Sequence, residues 1–213
     1  MNMSMFFLVC EWLGTAAFAV SGAMVAVDKG MDLFGVIFLA MITALGGGTL
    51  RDVLIGHFPP RMFTNYQYLL LAVVCALVVF ITAGHYKEKY VRSEHDIERV
   101  NNVFDAIGLG VFAVSGARIG MEAGFMDKGF LVTFLGMTTA VGGGMLRDVL
   151  LHEIPFVLNK RVYAVAAIAG ALTYWVVECL FVNPILAYTL GWLVTVTLRM
   201  LATIYRWNLP KAF

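Results

Sequence analysis

Three consecutive glycines occur twice in this chain, each time within an apolar segment and each time followed by the same charged pair. The first copy, from Gly46 to Leu54, reads Gly-Gly-Gly-Thr-Leu-Arg-Asp-Val-Leu, and the second, from Gly142 to Leu150, differs only at its fourth residue. Each glycine inside a helix costs about 1 kcal/mol relative to alanine, so one triplet gives up roughly 3 kcal/mol of helix propensity. The sequence therefore places a weakened helix beside charged residues at two positions.

The composition predicts a membrane protein. Of the 213 residues, 61% are hydrophobic and 14% are charged, whereas soluble domains carry about 25% charged residues. A formal net charge of +1 excludes extensive nucleic-acid contact, because no basic excess can neutralise many phosphates. Cys10, Cys75 and Cys179 have no metal or disulfide spacing and are interpreted as small apolar residues.

Seven apolar segments are long enough to cross a bilayer, which takes about 20 residues. They are roughly Met5–Val27, Leu33–Ile55, Asn65–Gly84, Asn101–Ile119, Lys128–Leu151, Arg161–Val182 and Pro184–Tyr205. We predict an all-α membrane protein whose residues 1–213 form a single transmembrane domain. The charged segment 85–100 is predicted to be an aqueous loop.

The glycine motifs are part of a longer internal repeat. Phe18–Ala23 recurs as Phe112–Ala117, and Glu11 lies at the same offset in the first copy as Asp105 in the second. Pro59 and Pro155 likewise follow their glycine motifs at equal distance.

Two three-helix repeats follow from these matches, about 5–84 and about 101–182, with an extra helix at about 184–206. Because three spans is an odd number, the second repeat enters the membrane from the opposite side. The result is an inverted repeat with a pseudo-two-fold axis in the membrane plane.

Lysine and arginine predict the orientation. One side receives Lys29, Lys87, Lys89, Arg92, Arg99, Lys160, Arg161, Arg206 and Lys211, and the other receives Arg61, Arg118 and Lys128. The excess places the long loop and the C-terminus in the cytoplasm and the N-terminus outside. Aromatic residues near span ends are interpreted as interfacial anchors: Tyr66, Tyr68, Tyr86, Tyr163, Trp175 and Trp207.

Weakened helices in an inverted repeat are typical of polar pathways, because unpaired backbone groups must face water or protein and not lipid. We predict that the triplets form a pore or hinge: Gly46, Gly47, Gly48, Gly142, Gly143 and Gly144. Close helix packing is the alternative. For the Ser-Gly-Ala sequences at 21–23 and 115–117 we predict packing.

The charged residues within the spans are candidate functional groups. Adjacent residues on a helix point about 100° apart, so Arg51 and Asp52 are expected to need other partners. The repeat offers Arg51 with Asp148 and Arg147 with Asp52, or contacts to Glu11 and Asp105. Snorkelling to the interface is an equal alternative for the arginines.

Four carboxylates, at Glu11, Asp52, Asp105 and Asp148, face two guanidinium groups, at Arg51 and Arg147. This surplus of two negative charges favours a cation within low-dielectric walls, and we expect the aspartates to select it. Threonine hydroxyls could assist or could bond to their own helices: Thr43, Thr49, Thr133, Thr138 and Thr139. The four histidines lack metal spacing and no nucleotide or nucleophile motif occurs, so neither an enzyme nor a cofactor is expected.

The doubled Gly-Gly-Gly-x-Leu-Arg-Asp-Val motif on spans two and five resembles the prokaryotic branch of the trimeric intracellular cation (TRIC) channels. These sequences also carry a "glycine transporter" domain label and belong to an uncharacterised membrane family. The resemblance implies a homotrimer, with a pore for K⁺ and Na⁺ between helices two and five of each subunit. It further implies that the six glycines kink these helices and that Arg51, Asp52, Arg147 and Asp148 surround the pore.

The leading hypothesis is therefore a monovalent-cation channel of the bacterial inner membrane, with lipid and permeating ions as its partners. A secondary transporter of a small amino acid such as glycine is the alternative from another class. A structural membrane protein whose glycines only pack is a third.

Overall fold

Seven long helices make up the protein in a computed structural model that describes residues 3–85, 94–159 and 162–207. They are α1 (Met3–Asp28), α2 (Leu33–Leu54), α3 (Tyr66–His85), α4 (Glu94–Gly120), α5 (Gly129–Leu150), α6 (Tyr163–Phe181) and α7 (Pro184–Ile204). Each contains a segment long and apolar enough to cross a membrane. The predicted all-α, seven-helix membrane fold is confirmed.

Three shorter elements complete the fold. One-turn helices at Arg61–Thr64 and Phe156–Asn159 follow α2 and α5, and α4 continues as a π-helical turn over Met121–Phe125. The first two occupy equivalent places in the two repeats. They lie beside the charged ends of α2 and α5, and their first amides bond Asp52 and Asp148.

The segment between α3 and α4 contains more helix than predicted. α3 extends to His85 and α4 already begins at Glu94, although the apolar span within α4 starts only at Arg99. The backbone of residues 94–100 therefore continues the following helix instead of forming a loop. Tyr86 and the other residues of 86–93, which the sequence assigns to the aqueous loop, lie outside the described residues.

Local sequence determines where two helices begin. The Asp32 carboxylate accepts a hydrogen bond of 2.8 Å from the amide of Gly35 and caps α2. Asn183 caps α7 in the same way through the amide of Leu186, at 3.1 Å, with Pro184 in the first turn. The tight link between α6 and α7 follows from this Asn-Pro pair.

Helix α4 is the centre of the bundle and packs against α1, α5, α6 and α7. Of the apolar window of its span, 72% is buried, against 22% for α3 at the periphery. Its small residues permit this position: a β-carbon on Gly108 would collide with the ring of Phe18 on α1. The core consequently lies along α4, α1 and the facing halves of α2 and α5.

The two repeats pack their first two helices in the same way. A β-carbon on Gly22 of α1 would lie 2.5 Å from the Thr43 hydroxyl of α2, and one on Gly116 of α4 would be as crowded against Thr139 of α5. Both hydroxyls donate to their own helix, to the carbonyls of Leu39 at 2.7 Å and of Leu135 at 2.6 Å. The Ser-Gly-Ala prediction of helix packing is confirmed, and Thr43 and Thr139 bond to their own helices.

Candidate functional site

Helices α2 and α5 cross at the glycine triplets. A β-carbon on Gly47 would overlap the Thr139 carbonyl, and one on Gly143 would overlap the Thr43 carbonyl. Gly46 and Gly142 face leucine side chains across the crossing, those of Leu146 and Leu50. The first two glycines of each triplet thus serve close helix packing, the alternative to a pore or hinge, and helical structure continues through both triplets.

The third glycine of each triplet has a different environment. A β-carbon on Gly48 would meet only the Arg51 guanidinium, at 3.6 Å. A β-carbon on Gly144 would lie 3.6 Å from the Tyr163 hydroxyl and 3.7 Å from Arg147 Nη2. These two glycines face charged groups, whereas the preceding two face the partner helix.

A cavity of about 100 Å³, with charged and hydroxyl side chains in its lining, opens beside Gly48, and it has enough room for several water molecules. Side chains from both repeats line it: Glu11, Thr15, Thr49, Arg51, Asp52, Arg61, Met62, Asn65, Tyr68, Phe112, Ser115 and Ile119 among them. Five of the predicted site residues meet here, namely Glu11, Gly48, Thr49, Arg51 and Asp52. The cavity is the candidate functional site.

Glu11 bonds side chains from two other helices at this cavity. Its carboxylate accepts hydrogen bonds from the Tyr68 hydroxyl at 2.8 Å, the Ser115 hydroxyl at 3.1 Å and Arg118 Nη2 at 3.1 Å. The guanidinium of Arg118 also pairs with Glu122 at 2.6 Å and lies over the ring of Phe7. Glu11 therefore joins α1, α3 and α4 on one wall of the cavity.

The motif arginines pair with the aspartates next to them, and the prediction that they need other partners is wrong. Arg51 donates from Nε and Nη2 to Asp52 Oδ1, at 3.0 and 2.7 Å, and Arg147 Nε donates to Asp148 Oδ1 at 2.8 Å. A guanidinium on a flexible stem can turn back across the 100° between adjacent positions. The reciprocal pairs across the repeat do not form.

Each motif aspartate also holds the segment that follows its helix. Asp52 Oδ2 accepts the amide of Arg61, and Asp148 Oδ2 accepts the amide of Phe156, both at 2.8 Å. These amides open the two one-turn helices, where amide donors have no partner within the helix. Both oxygens of each carboxylate are thereby occupied by the protein.

The snorkelling alternative is also wrong. Arg51 is 5% exposed and Arg147 is 1% exposed, so neither guanidinium reaches the interface. Arg147 lies 5.1 Å from the ring centroid of Phe156, and its Nη1 is 3.4 Å from the Ser21 hydroxyl. The charges are held inside the protein by local pairing.

The second repeat gathers the equivalent groups in a buried cluster. Asp105, Arg147, Tyr163 and Arg199 are each 3% exposed or less. The Tyr163 hydroxyl donates to Asp105 Oδ1 at 3.2 Å, and the Arg199 guanidinium lies over the Tyr163 ring at 5.0 Å. Asp105 and Tyr163 here repeat the pairing of Glu11 and Tyr68.

The charge balance differs from the sequence-based count. Arg118 lies within α4 and bonds Glu11, although the sequence-based orientation counts it among the basic residues of one face, and Arg199 on α7 is buried above Tyr163. With these two arginines the four carboxylates face four guanidinium groups. The sequence-based surplus of two negative charges therefore does not describe the folded protein, in which Arg118 is also shared with Glu122, and a cation preference must come from where the charges lie.

The remaining threonines have unequal positions. Thr49 lines the cavity and donates to the Leu45 carbonyl at 3.0 Å, with Met62 Sδ also at 2.8 Å. Thr138 is partly exposed on α5 beside the crossing. The hydroxyl of Thr133 is buried, and within the described ranges it has no hydrogen-bond partner.

Four side chains that matter were missed or misread from the sequence: Tyr68, Tyr163, Arg118 and Arg199. Tyr68 and Tyr163 lie near span ends, as interfacial anchors do, but their hydroxyls bond Glu11 and Asp105, the two carboxylates matched between the repeats. Tyr66, in contrast, is 70% exposed, as an anchor would be. The sequence contained a signal for the tyrosines, because a carboxylate that occurs at the same place in both repeats needs a hydrogen-bond partner in each repeat. Arg199 could have been found as an arginine within the last apolar span.

Seven membrane-spanning helices in two inverted three-helix repeats define a polytopic membrane protein of the inverted-repeat class. A family model described as "Glycine transporter" matches the chain twice, at residues 8–84 and 102–178, once in each repeat. The chain belongs to this family.

Named relatives agree with this assignment. A UPF0126 membrane protein of Deinococcus radiodurans is 40% identical over 191 residues, which is 89% of this chain and 84% of the relative. The crystal structure of a prokaryotic TRIC channel in 0.5 M KCl has a TM-score of 0.87 at 32% identity, covering 97% of this chain and all of that one. The TRIC trimeric intracellular cation channel orthologue from Rhodobacter sphaeroides gives 0.84 at 30% identity, over 94% and 98%. The predicted resemblance to prokaryotic TRIC channels is confirmed.

Proposed function

We propose that this protein is a cation channel whose ions enter through the cavity beside Gly48 and pass between α2 and α5. The observation that carries the proposal is the cavity itself, which is lined by charged and hydroxyl side chains and lies beside Gly48, next to the glycines at which α2 and α5 cross. The likeness to solved TRIC channels over nearly the whole chain supports the same function.

The placement of charges supports a cation as the passenger. In the cavity, Asp52 is paired directly with Arg51 and also accepts the amide of Arg61, so Glu11 is the less strongly neutralised of the two carboxylates. Its partners Tyr68 and Ser115 are neutral hydroxyls, and Arg118 pairs with Glu122 as well. Field focusing by the apolar walls strengthens this site for a cation.

The finer features of the proposal come from the family resemblance. The passengers are K⁺ and Na⁺, no resident cofactor is needed, and the working unit is a homotrimer in the bacterial inner membrane with a pore in each subunit. The count of basic residues supports a cytoplasmic C-terminus. In that orientation the cavity beside Gly48 opens to the outside.

Planar-bilayer recording of the purified protein tests the proposal. A channel gives unitary current steps, and under a KCl gradient the reversal potential moves towards the K⁺ equilibrium potential. A glycine transporter instead gives saturable uptake of labelled glycine into proteoliposomes and no unitary steps. Saturable uptake with silent bilayers would overturn the channel proposal in favour of the alternative.

A further inference from the structure

The third glycine of the triplet has different surroundings in the two repeats, although the motif sequences match. Gly48 is partly exposed and lines the open cavity, whereas Gly144 is buried. The space next to Gly144 contains the Tyr163 hydroxyl, 3.6 Å from the position of a β-carbon, while no tyrosine atom lies within 4 Å of the same point on Gly48. Tyr163 lies next to Gly144, whereas Tyr68 lies in the cavity wall, away from Gly48.

The difference begins at the start of the third helix of each repeat. Tyr163 is the first residue of α6, and Tyr68 is the third residue of α3. Both hydroxyls reach the carboxylate of their own half, but only Tyr163 lies between that carboxylate and the third glycine. In the second half, therefore, the space beside the third glycine is occupied by a tyrosine hydroxyl, whereas in the first half the same space belongs to the cavity.

The helix without a repeat partner covers this closed half. Arg199 of α7 lies over the Tyr163 ring and is anchored by a hydrogen bond of 2.9 Å from Nη1 to the Thr203 hydroxyl. α7 packs against α4 and α6, which carry Asp105 and Tyr163. The asymmetry between the halves thus coincides with the one helix that breaks the symmetry.

The closed half leaves polar atoms without partners. Asp105 Oδ2, Arg147 Nη2 and Arg199 Nε are buried and have no hydrogen-bond partner among the described residues. Buried polar groups left unpaired are costly, and charged ones most of all. Withdrawal of Tyr163 would let water reach these atoms, so closure and opening are balanced more evenly than in a fully paired core.

We propose that Tyr163 and Arg199 form a shut gate in the second half of the pathway, and that movement of α7 relative to α6 opens it. The role of Tyr163 and Arg199 as an ion gate rests on the proposed channel function. The closure of the second half against water is a property of the fold, and it can be tested without any current.

Cysteine accessibility tests the closure directly. In a background carrying Cys10→Ala, Cys75→Ala and Cys179→Ala, Gly48→Cys and Gly144→Cys form a matched pair, since a β-carbon has room at both positions. A small cationic thiol reagent is applied to protein in detergent, where both faces are accessible. We expect Gly48→Cys to react at least tenfold faster, and equal rates would overturn the gate.

Opening is tested in the same assay. Adding Tyr163→Ala or Arg199→Gln should speed reaction of Gly144→Cys about tenfold, whereas the exposed controls Tyr66→Ala and Arg206→Gln should leave it within twofold. Each gate variant is measured by itself, so either one suffices if the other fails to fold. If folded Arg199→Gln leaves the rate unchanged, α7 has no part in the gate.

Bilayer recording then separates the gate from the channel. Tyr163→Phe and Arg199→Gln should raise the open probability severalfold at unchanged unitary conductance, with Tyr66→Phe and Arg206→Gln as controls. A changed conductance at constant open probability would make these residues pore lining and overturn the gate. Silent bilayers combined with the accessibility difference would instead defeat the channel function and leave the closure standing.

Discussion

At the scale of single residues, the arginine and the aspartate of each motif neutralise each other, and the aspartate also binds the amide that begins the next one-turn helix. Asp148 accepts from Arg147 and from the amide of Phe156, and Asp52 does the same for Arg51 and Arg61. The sequence motif suggested an ion-selecting carboxylate. The geometry gives each aspartate a structural task, because neither oxygen is left to meet an ion alone.

Asp148→Asn should therefore destabilise the protein. Arg147 is 1% exposed and would lose its carboxylate, and removing one partner of a buried ion pair costs about 3–5 kcal/mol. Thermal unfolding in detergent, followed by tryptophan fluorescence, measures the change. The exposed Asp127→Asn is the control, and an unfolding temperature equal to that of the control would contradict the structural role.

Arg118→Gln should strengthen the preference for cations. This arginine neutralises Glu11 at the cavity wall, so its removal leaves a carboxylate facing the pathway. Under a KCl gradient the reversal potential should move closer to the K⁺ equilibrium potential, with Lys128→Gln as an exposed control near the same face. A shift towards the Cl⁻ equilibrium potential would contradict the assignment of Glu11 as the ion-facing acid.

What the sequence predicts at this scale depends on the repeat. Matching the two copies identified Glu11 and Asp105 as equivalent, and each carboxylate accepts a hydrogen bond from a tyrosine hydroxyl of its own half. It did not identify Tyr68 and Tyr163 as their partners, because a tyrosine near a span end looks the same whether it faces headgroups or the interior. Local pairing of Arg51 with Asp52 depends on how the arginine side chain bends, which residue spacing does not specify.

At the scale of helices, each triplet divides into a contact surface and a cavity surface. The first two glycines let α2 and α5 approach backbone to backbone, and the third faces the charged groups. The sequence predicted that the triplets matter and that the alternatives were a polar path or packing. It could not assign these to different glycines, because that depends on how the two helices are rotated at their crossing.

Alanine substitution along the second triplet should show this division. Gly143→Ala places a β-carbon against the Thr43 carbonyl, which belongs to backbone and cannot move aside, so we expect about 1–3 kcal/mol of destabilisation from overpacking. Gly144→Ala has 3.6 Å of clearance and should be tolerated. Thermal unfolding of the two variants measures the difference, and equal losses would contradict the division.

At the scale of the whole molecule, the seven helices and their inverted repeats follow from hydropathy and internal matches in the sequence. Each apolar span covers about 20 residues and the repeat is supported by several matches, so uncertainty about a single residue does not change the predicted fold. The open and closed halves could not be predicted, because the two copies of the motif are almost identical. The last helix, α7, packs against α4 and α6 of the second half, and that placement is a property of the folded bundle.

Topology and assembly are testable together. Green fluorescent protein fused after the last residue should fluoresce, and alkaline phosphatase inserted between α4 and α5 should be active, since positive residues favour a cytoplasmic C-terminus. Light scattering with detergent correction should give three copies of the 23.4 kDa chain. An active phosphatase at the C-terminus would contradict the orientation, and a monomer mass would contradict the trimer.

The local pairing of each motif has a consequence for biosynthesis. Because Arg51 and Asp52 neutralise each other within α2, the first three helices can leave the insertion machinery before the last four are made, without carrying an isolated motif charge into lipid. The same independence holds for Arg147 and Asp148. A duplication that fused two opposed copies of such a three-helix unit would need no new charge partner for either motif.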